Sequence, residues 1–211
     1  MDGTSLSLGA VGLLALAASG RGSGARRKVL AAQPVETLDA LAAARRGPVR
    51  LGDPSPWRFR WKPMSAAWRE RFDAHHAVPP TAIPAEQEAR QALVDGLLAW
   101  GGDRVLVPLH EPDLGALRTR GQLWTGKGHV RCPGEASRCH GNAAALWEAN
   151  PDLVLLATGY ALSDDGLWRQ HSFAVQARPR RIVETTVPRV AYFGFVLTTK
   201  ESGRFAEENL W

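Results

Sequence analysis

The last third of this 211-residue chain places one helix before a series of strands. The helical run begins at Cys139, and Asn150-Pro151 stops it. Four runs rich in β-branched and aromatic residues follow it, at 153–160, 167–175, 181–185 and 190–197. Because the helix precedes the strands and does not alternate with them, the pattern predicts an α+β fold with an antiparallel sheet, not a doubly wound one.

Helical patterns dominate the part of the chain that precedes this region. Residues 34–44, 65–75 and 84–100 carry helical composition or apolar residues at helical spacing, and the last of these runs ends at Gly101-Gly102. Residues 105–107 predict a short strand, and the glycine-rich stretch 121–134 predicts a loop. We therefore expect a helical region packed on a C-terminal sheet.

The composition is that of one folded domain. Hydrophobic residues make up 45% of the chain and charged residues 22%, which are globular values. A flexible joint at Gly20–Gly24 divides a flexible or weakly hydrophobic extension, 1–28, from a domain at 29–211. Within that domain we expect a helical part at 29–119 and a Cys/His/Glu-bearing part at 120–211.

The N-terminal extension bears on where in the cell the protein is found. Residues 3–20 carry no charge, but they are rich in Gly and Ala, and a membrane span needs about 20 strongly apolar residues. Asp2 stands where a signal peptide carries positive charge. We expect a cytoplasmic protein, with an N-terminal membrane anchor as the alternative.

The net charge bears on the binding partners of the protein, and the cysteine content on its redox compartment. Lys and Arg number 26 against 21 Asp and Glu, a net charge of +5. The arginines are scattered and no nucleic-acid-binding motif is visible, so we expect no specific nucleic-acid partner. Two cysteines, Cys132 and Cys139, are too few for a disulfide framework. A small loop closed by a bond between them and free thiols in a reducing cytosol fit the sequence equally well.

Three residues that together could activate a cysteine nucleophile follow one another in the last third of the chain. Cys139 stands at the start of the predicted helix, His171 lies in a predicted strand and Glu184 ends the next one. A helix N-terminus and a neighbouring imidazolium both lower the pKa of a thiol and favour the nucleophilic thiolate. With Ser137 as helix cap, Cys139 falls in the first turn, where its backbone N–H can also face an oxyanion.

Structural roles compete with this interpretation. Cys139 can be a small buried residue, His171 a core histidine and Glu184 the partner of Arg181 or Arg189. A structural zinc site is a further alternative, since four N or S donors lie within twelve residues: His129, Cys132, Cys139 and His140. Their spacing is not that of a common zinc finger, and we expect neither a metal nor an organic cofactor.

The order of these residues resembles that of a known superfamily. A Cys-initiated helix, then Thr158-Gly159-Tyr160-Ala161, His171-Ser172-Phe173 and Val183-Glu184-Thr185-Thr186, is similar to the transglutaminase-like branch of the papain-like cysteine proteases. The resemblance covers about residues 120–197. It implies Cys139 as nucleophile, His171 as general base and Glu184 as the third member. Glu184 stands where the family has Asp, and Cys139-His140-Gly141-Asn142 departs from its usual helix start.

The resemblance also suggests residues around the nucleophile. An upstream Trp or Gln often completes the oxyanion hole in this superfamily, which makes Gln122 and Trp124 the candidates. His140 and Asn142 are candidate polar contacts in the site, with capping of the helix as the alternative role.

The sequence therefore predicts a cysteine-dependent acyl-transfer enzyme: a protease, amidase, deamidase or transglutaminase-type transferase. Its substrate would be a protein, a peptide or a small amide. The alternatives are a non-catalytic papain-like module that binds a protein or peptide, and a basic nucleic-acid-associated protein.

Overall fold

A seven-stranded mixed sheet organises the part of the chain that the structure, a computed structural model, describes: residues 48–53, 59–75, 84–177 and 180–210. The helices there are α1 Ala66–His75, α2 Pro84–Trp100, α3 Leu114–Arg120, α4 Cys139–Ala149 and α5 Thr199–Asn209. The strands are β1 Arg104–Val105, β2 Gln122–Thr125, β3 Val130–Arg131, β4 Val154–Leu162, β5 Leu167–Gln176, β6 Ile182–Glu184 and β7 Ala191–Val196. The extension 1–28 and the predicted helix at 34–44 lie outside the described residues.

The strand order is β2-β7-β4-β5-β6-β3, and β1 pairs with the start of β5. The four pairs β2–β7, β7–β4, β4–β5 and β5–β6 are antiparallel, whereas β1–β5 and β3–β6 are parallel. Strand β1 pairs at residues 167–168 of β5, and β6 pairs at 174–175 of the same strand. Among the described residues no strand pairs with this edge of β5 between the two pairing sites. The start of α4 lies in the gap.

The predicted α+β class is confirmed, and so are α1, α2, α4 and the four C-terminal strands, within two residues at most ends. The sheet is mixed, however, since β1 and β3 join it in parallel. The loop predicted for 121–134 is wrong, because it contains β2 and β3. Strands of two to four residues are too short to show an alternating pattern among glycines.

Helices cover one face of the sheet. Leu93, Leu97 and Trp100 of α2 share a buried cluster with Phe193 of β7 and Trp168 of β5. Helix α4 packs its C-terminal half on the same face, where it completes a second cluster: Leu146, Trp147, Val154, Ala174 and Val183. Burial of these apolar side chains holds α4 against the sheet.

The other face of the sheet carries its own aromatic cluster. Phe173 of β5 and Tyr192 of β7 are buried there, with their rings 5.0 Å apart. Trp124 of β2 makes an edge contact of 5.5 Å with Phe173, although two strands lie between β2 and β5. The sheet is therefore curled so that β2 approaches β5 on this face.

Two glycines face each other where β4 and β7 come closest. Gly159 has a φ of +155°, and a Cβ atom there would clash with the carbonyl oxygen of Phe193. A Cβ atom at Gly194 would clash with the carbonyl oxygen of Thr158. Gly194, Gly159 and His171 are successive cross-strand partners, so this close approach lies beside the histidine.

Candidate active site

Helix α4 begins at Cys139 beside the unpaired edge of β5. Its N-cap is Arg138, which makes no side-chain capping bond, so the prediction that Ser137 caps the helix is wrong. Ser137 has a φ of +61° and instead turns the chain into the helix. The first helical hydrogen bond joins the Asn142 N–H to the Arg138 carbonyl at 2.9 Å.

The sulfur of Cys139 lies at the gap in the sheet. It makes a side-chain hydrogen bond with His171 and accepts the backbone N–H groups of Ser172 and His140. The Gln176 N–H donates to the Arg181 carbonyl on the β6 side of β5. The Ser172 N–H, four residues earlier in the same strand, therefore points to the same edge. Cys139 thus occupies a position that a neighbouring strand would otherwise fill, and it stays partly exposed.

The surroundings of the thiol favour its ionised form. Burial raises the pKa of Cys139, but the hydrogen bond and the charge of His171, together with the two backbone N–H groups, outweigh it, and the pKa is lowered. Burial alone acts on the second thiol and raises the pKa of Cys132. The two cysteines of the chain therefore differ in the direction of their shifts.

His171 links the sulfur to a buried acid. Its side chain is 2% exposed, and its Nε2 lies 2.9 Å from Oε2 of Glu184, which leaves Nδ1 as the nitrogen on the sulfur's side. Burial lowers the pKa of His171, but the hydrogen bonds to Cys139 and Glu184 outweigh it and raise the pKa. A lowered thiol pKa and a raised imidazole pKa both favour a thiolate–imidazolium pair.

Glu184 is fully buried and both of its oxygens are hydrogen-bonded. Oε2 accepts the Tyr192 hydroxyl at 2.7 Å in addition to His171, while Oε1 accepts the Thr186 N–H at 2.7 Å and its hydroxyl at 2.8 Å. Burial raises the pKa of Glu184, but the hydrogen bond to His171 and these other donors lower it to about 2. The carboxylate therefore remains ionised beneath the imidazole.

The other predicted site residues fall into two groups. His140 points Nδ1 at the Ser172 hydroxyl, 2.7 Å away, on the sheet face opposite His171. Asn142 instead holds the loop before the helix, since its Oδ1 accepts the Glu135 N–H at 3.0 Å and its Nδ2 donates to the Glu135 carbonyl at 2.7 Å. Of this pair, only His140 contacts the sulfur, through its backbone N–H.

Gln122 and Trp124 lie on strand β2, which β7 and β4 separate from β5. Gln122 shares a cross-strand row with His171, roughly 14 Å along the sheet at the usual strand spacing. Trp124 packs against Phe173, whose ring lies 6.3 Å from that of His171. The polar contacts that the described residues make with the sulfur involve neither of them; the nearby donors are backbone N–H groups.

Tyr192 was a candidate groove residue in the sequence, with an interface aromatic as the alternative. Sequence reasoning missed its contact with Glu184 and two further partners of the site, the Ser172 N–H and Thr186. The two threonines after Glu184 were visible as part of the motif, but nothing in their spacing assigned Thr186 to the carboxylate. Tyr192 reaches Glu184 from a strand that is not adjacent to β6. Such a contact depends on the curl of the sheet, which no local pattern encodes.

Neither a metal-binding cluster nor a membrane-spanning helix is found among the described residues. No group of three or more His, Cys, Asp or Glu side chains that could hold a metal ion forms among them. His129, one of the four zinc candidates, points Nδ1 at the Gly126 carbonyl, 2.8 Å away. Within the described ranges no helix is sufficiently long and apolar to cross a bilayer.

Comparison with models of known families, with curated proteins and with solved structures finds no match for this chain.

Proposed function

We propose that this chain is a cysteine-dependent acyl-transfer enzyme in which Cys139, His171 and Glu184 form the catalytic triad. One observation carries the proposal: a partly exposed thiol at a helix start is hydrogen-bonded to a buried imidazole that in turn contacts a buried carboxylate. The similarity of the motifs to the transglutaminase-like branch of the papain-like superfamily supports the same assignment.

The reaction follows from the protonation states that the site favours. The Cys139 thiolate attacks the carbonyl carbon of an amide, and the negative charge that develops on the carbonyl oxygen faces the N-terminus of α4. His171, as imidazolium, donates its proton to the leaving amine, and a thioester remains on the sulfur. Water or an amine then attacks the thioester and gives a proton to His171, which restores the thiolate and the imidazolium.

Glu184 would act through the imidazole. Its contact with Nε2 fixes the ring so that Nδ1 faces the sulfur, and its negative charge favours the imidazolium. The longer Glu side chain suits this role here because Thr186 and Tyr192 hold both carboxylate oxygens in place.

The first experiment measures the reactivity of the two thiols with iodoacetamide between pH 5 and 9, followed by mass spectrometry of the labelled peptides. We expect Cys139 to react at least about tenfold faster than Cys132 near pH 6, since one unit of pKa changes the thiolate fraction about tenfold. The His171→Ala variant should abolish the difference. Equal and slow labelling of both cysteines would contradict the proposal and favour a non-catalytic binding module.

A second experiment tests acyl transfer. The protein is incubated with an activated acetyl ester, and the expected product is a thioester on Cys139 that neutral hydroxylamine removes. The Cys132→Ser variant should form it as the wild type does, and Cys139→Ser should not. Acetylation that resists hydroxylamine, or that is distributed over lysines, would contradict a cysteine nucleophile.

A further inference from the structure

A cavity of about 410 Å³ lies beside the start of α4, on the face of the sheet opposite His171. Thr158 and Gln170 contribute to its floor, and the segment at 111–113 and helix α5 form its walls. His140, the residue directly after Cys139, also lines it. The cavity therefore borders the same helix start that carries the nucleophile, and its volume suits a small substrate group.

The ionisable groups of this cavity are mainly acidic. Two of its carboxylates have cationic partners: Glu201 pairs with Arg120 at 2.6 Å, and Glu208 lies 3.9 Å from Arg204. The other two carboxylates in the lining are Glu111 and Asp113. His140 adds no positive charge at neutral pH, because burial and the charge of His171 lower its pKa.

Glu111 is a buried carboxyl in the cavity wall. It is 4% exposed, and its hydrogen-bond donors are neutral: the Tyr160 hydroxyl, the Gln170 amide at 2.9 Å and the Asp113 backbone N–H at 3.2 Å. Burial, and next the charge of Glu111, raise the pKa of the Asp113 carboxyl. Glu111 therefore makes the potential at Asp113 more negative, while the charges of Arg204 and Arg120 act on the same carboxyl in the opposite direction.

The remaining walls suit the hydrocarbon part of a basic side chain. Phe195 and Phe205 line the cavity, and the Phe205 ring is 5.9 Å from that of His140. The guanidinium of Arg120 lies 4.8 Å from the centre of the Phe195 ring and already covers one face of it. A side chain with an apolar stem and a charged end would satisfy both parts of the lining.

We propose that this cavity binds a positively charged group, a primary ammonium or a guanidinium, on the substrate whose amide Cys139 attacks. The inference rests on the proposed acyl-transfer function and names the substrate class: amides that carry a basic side chain next to the reacting bond. It assigns Glu111 and Asp113 as specificity-determining residues.

The test compares two thiol reagents with the same reactive group and linker but opposite charge in a Cys132→Ser background. They are 2-aminoethyl and 2-sulfonatoethyl methanethiosulfonate; in each, the thiolate attacks the sulfenyl sulfur, a disulfide forms and methanesulfinate leaves. The ratio of their rates at Cys139 is divided by the ratio for the urea-unfolded protein. We expect the corrected ratio to favour the cationic reagent about tenfold at 50 mM salt.

Two variants locate the source of the preference. Asp113→Asn should lower the corrected ratio at least about threefold, since it removes one of two nearby charges. Glu207→Gln makes the same change of charge on the exposed side of α5, outside the cavity, and should leave the ratio unchanged. Because the whole chain carries +5, its overall field would favour the anionic reagent, so a cationic preference must be local.

The outcomes separate the two proposals. Fast labelling of Cys139 by uncharged iodoacetamide together with a corrected ratio of one or less would overturn the cation site alone. A cationic preference together with slow iodoacetamide labelling would contradict the acyl-transfer proposal and leave the charge of the cavity established. Should Asp113→Asn fail to fold, a wild-type ratio that does not fall between 50 mM and 1 M salt would overturn the inference, because electrostatic selectivity is screened.

Discussion

The Tyr192 hydroxyl donates a 2.7 Å hydrogen bond to Oε2 of Glu184, the oxygen that also contacts His171 at 2.9 Å. Tyr192→Phe removes this donor without changing the shape of the ring. The carboxylate stays ionised, but it loses one of the contacts that fix it beneath the imidazole, so we expect His171 to be held less firmly against the sulfur and the pKa of Cys139 to increase. The measurement is the pH profile of Cys139 alkylation, which should move to higher pH, with a loss of stability of about 1–2 kcal/mol.

A general loss of stability must be separated from this effect. Thr198→Ala removes the capping box of α5, in which the Thr198 hydroxyl accepts the Glu201 N–H, and should cost about 1 kcal/mol. Its alkylation profile should match that of the wild type. An unchanged profile in Tyr192→Phe would show that the hydroxyl stabilises the fold without tuning the site.

The Glu184–His171 pair predicts a window of pH in which it stabilises the fold. The pKa of Glu184 falls from 4.5 to about 2 on folding, so its contribution is present above pH 4.5 and is lost as the pH falls towards 2. The pKa of His171 rises above 6.5 on folding, so its contribution is present below pH 6.5 and is lost as the pH rises through the folded value. Together they are greatest between pH 4.5 and 6.5.

Urea unfolding from pH 3 to 9 checks this window. The difference in free energy of unfolding between wild type and Glu184→Gln should be largest from about pH 4.5 to 6.5 and smaller on either side. The exposed change Glu207→Gln serves as the control and should show no such maximum. A difference that is constant across this range would show that the pair does not change its ionisation on folding.

The sequence predicted the elements of the site better than their surroundings. Helix α4 and strand β5 were recognisable because each has a long, regular pattern with clear turn signals at its ends. The sequence placed His171 in one predicted strand and Glu184 at the end of the next, and these two strands, β5 and β6, do pair. Their common face required the register, which the pattern alone did not supply.

The parts that could not be predicted depend on long-range packing. The gap between β1 and β6 exists because β1 pairs in parallel with the start of β5, and no local signal fixes such a crossover. Strand β2 was hidden in a glycine-rich stretch, and its pairing with β7 places Gln122 in the cross-strand row of His171, three strands away in the sheet order. The start of α5 did have a signal, the Thr198-x-x-Glu201 capping box.

The close approach of β4 and β7 predicts a strong response to added methyl groups. Gly194→Ala should lower the free energy of unfolding by several kcal/mol, because its Cβ atom would overlap the Thr158 carbonyl oxygen, which belongs to a strand and cannot yield. Gly203→Ala is the matched control: no atom lies within 4 Å of its Cβ position in α5. It should stabilise the protein by about 0.5–1 kcal/mol through helix propensity.

Urea denaturation of the two variants gives both values. Gly159 is the cross-strand partner of both Gly194 and His171, so a shift of the strands at Gly194 should displace His171. Any Gly194→Ala protein that does fold should therefore also show slower Cys139 alkylation. Equal stability of the two alanine variants would mean that β4 and β7 can move apart without cost.

The ion pair between Arg120 and Glu201 joins α3 to α5 across one wall of the cavity. The guanidinium donates to both carboxylate oxygens, at 2.6 and 2.9 Å, and also to the Val196 carbonyl at 2.7 Å. Lysine carries the same charge but cannot form this two-pronged contact. Arg120→Lys should therefore lower the free energy of unfolding by about 0.5–1 kcal/mol, a loss that 1 M salt reduces only partly because the bonding geometry is lost as well. Arg118→Lys, on the exposed side of the same helix, should leave the free energy of unfolding unchanged. Equal losses in the two variants would show that the ion pair does not link the two helices.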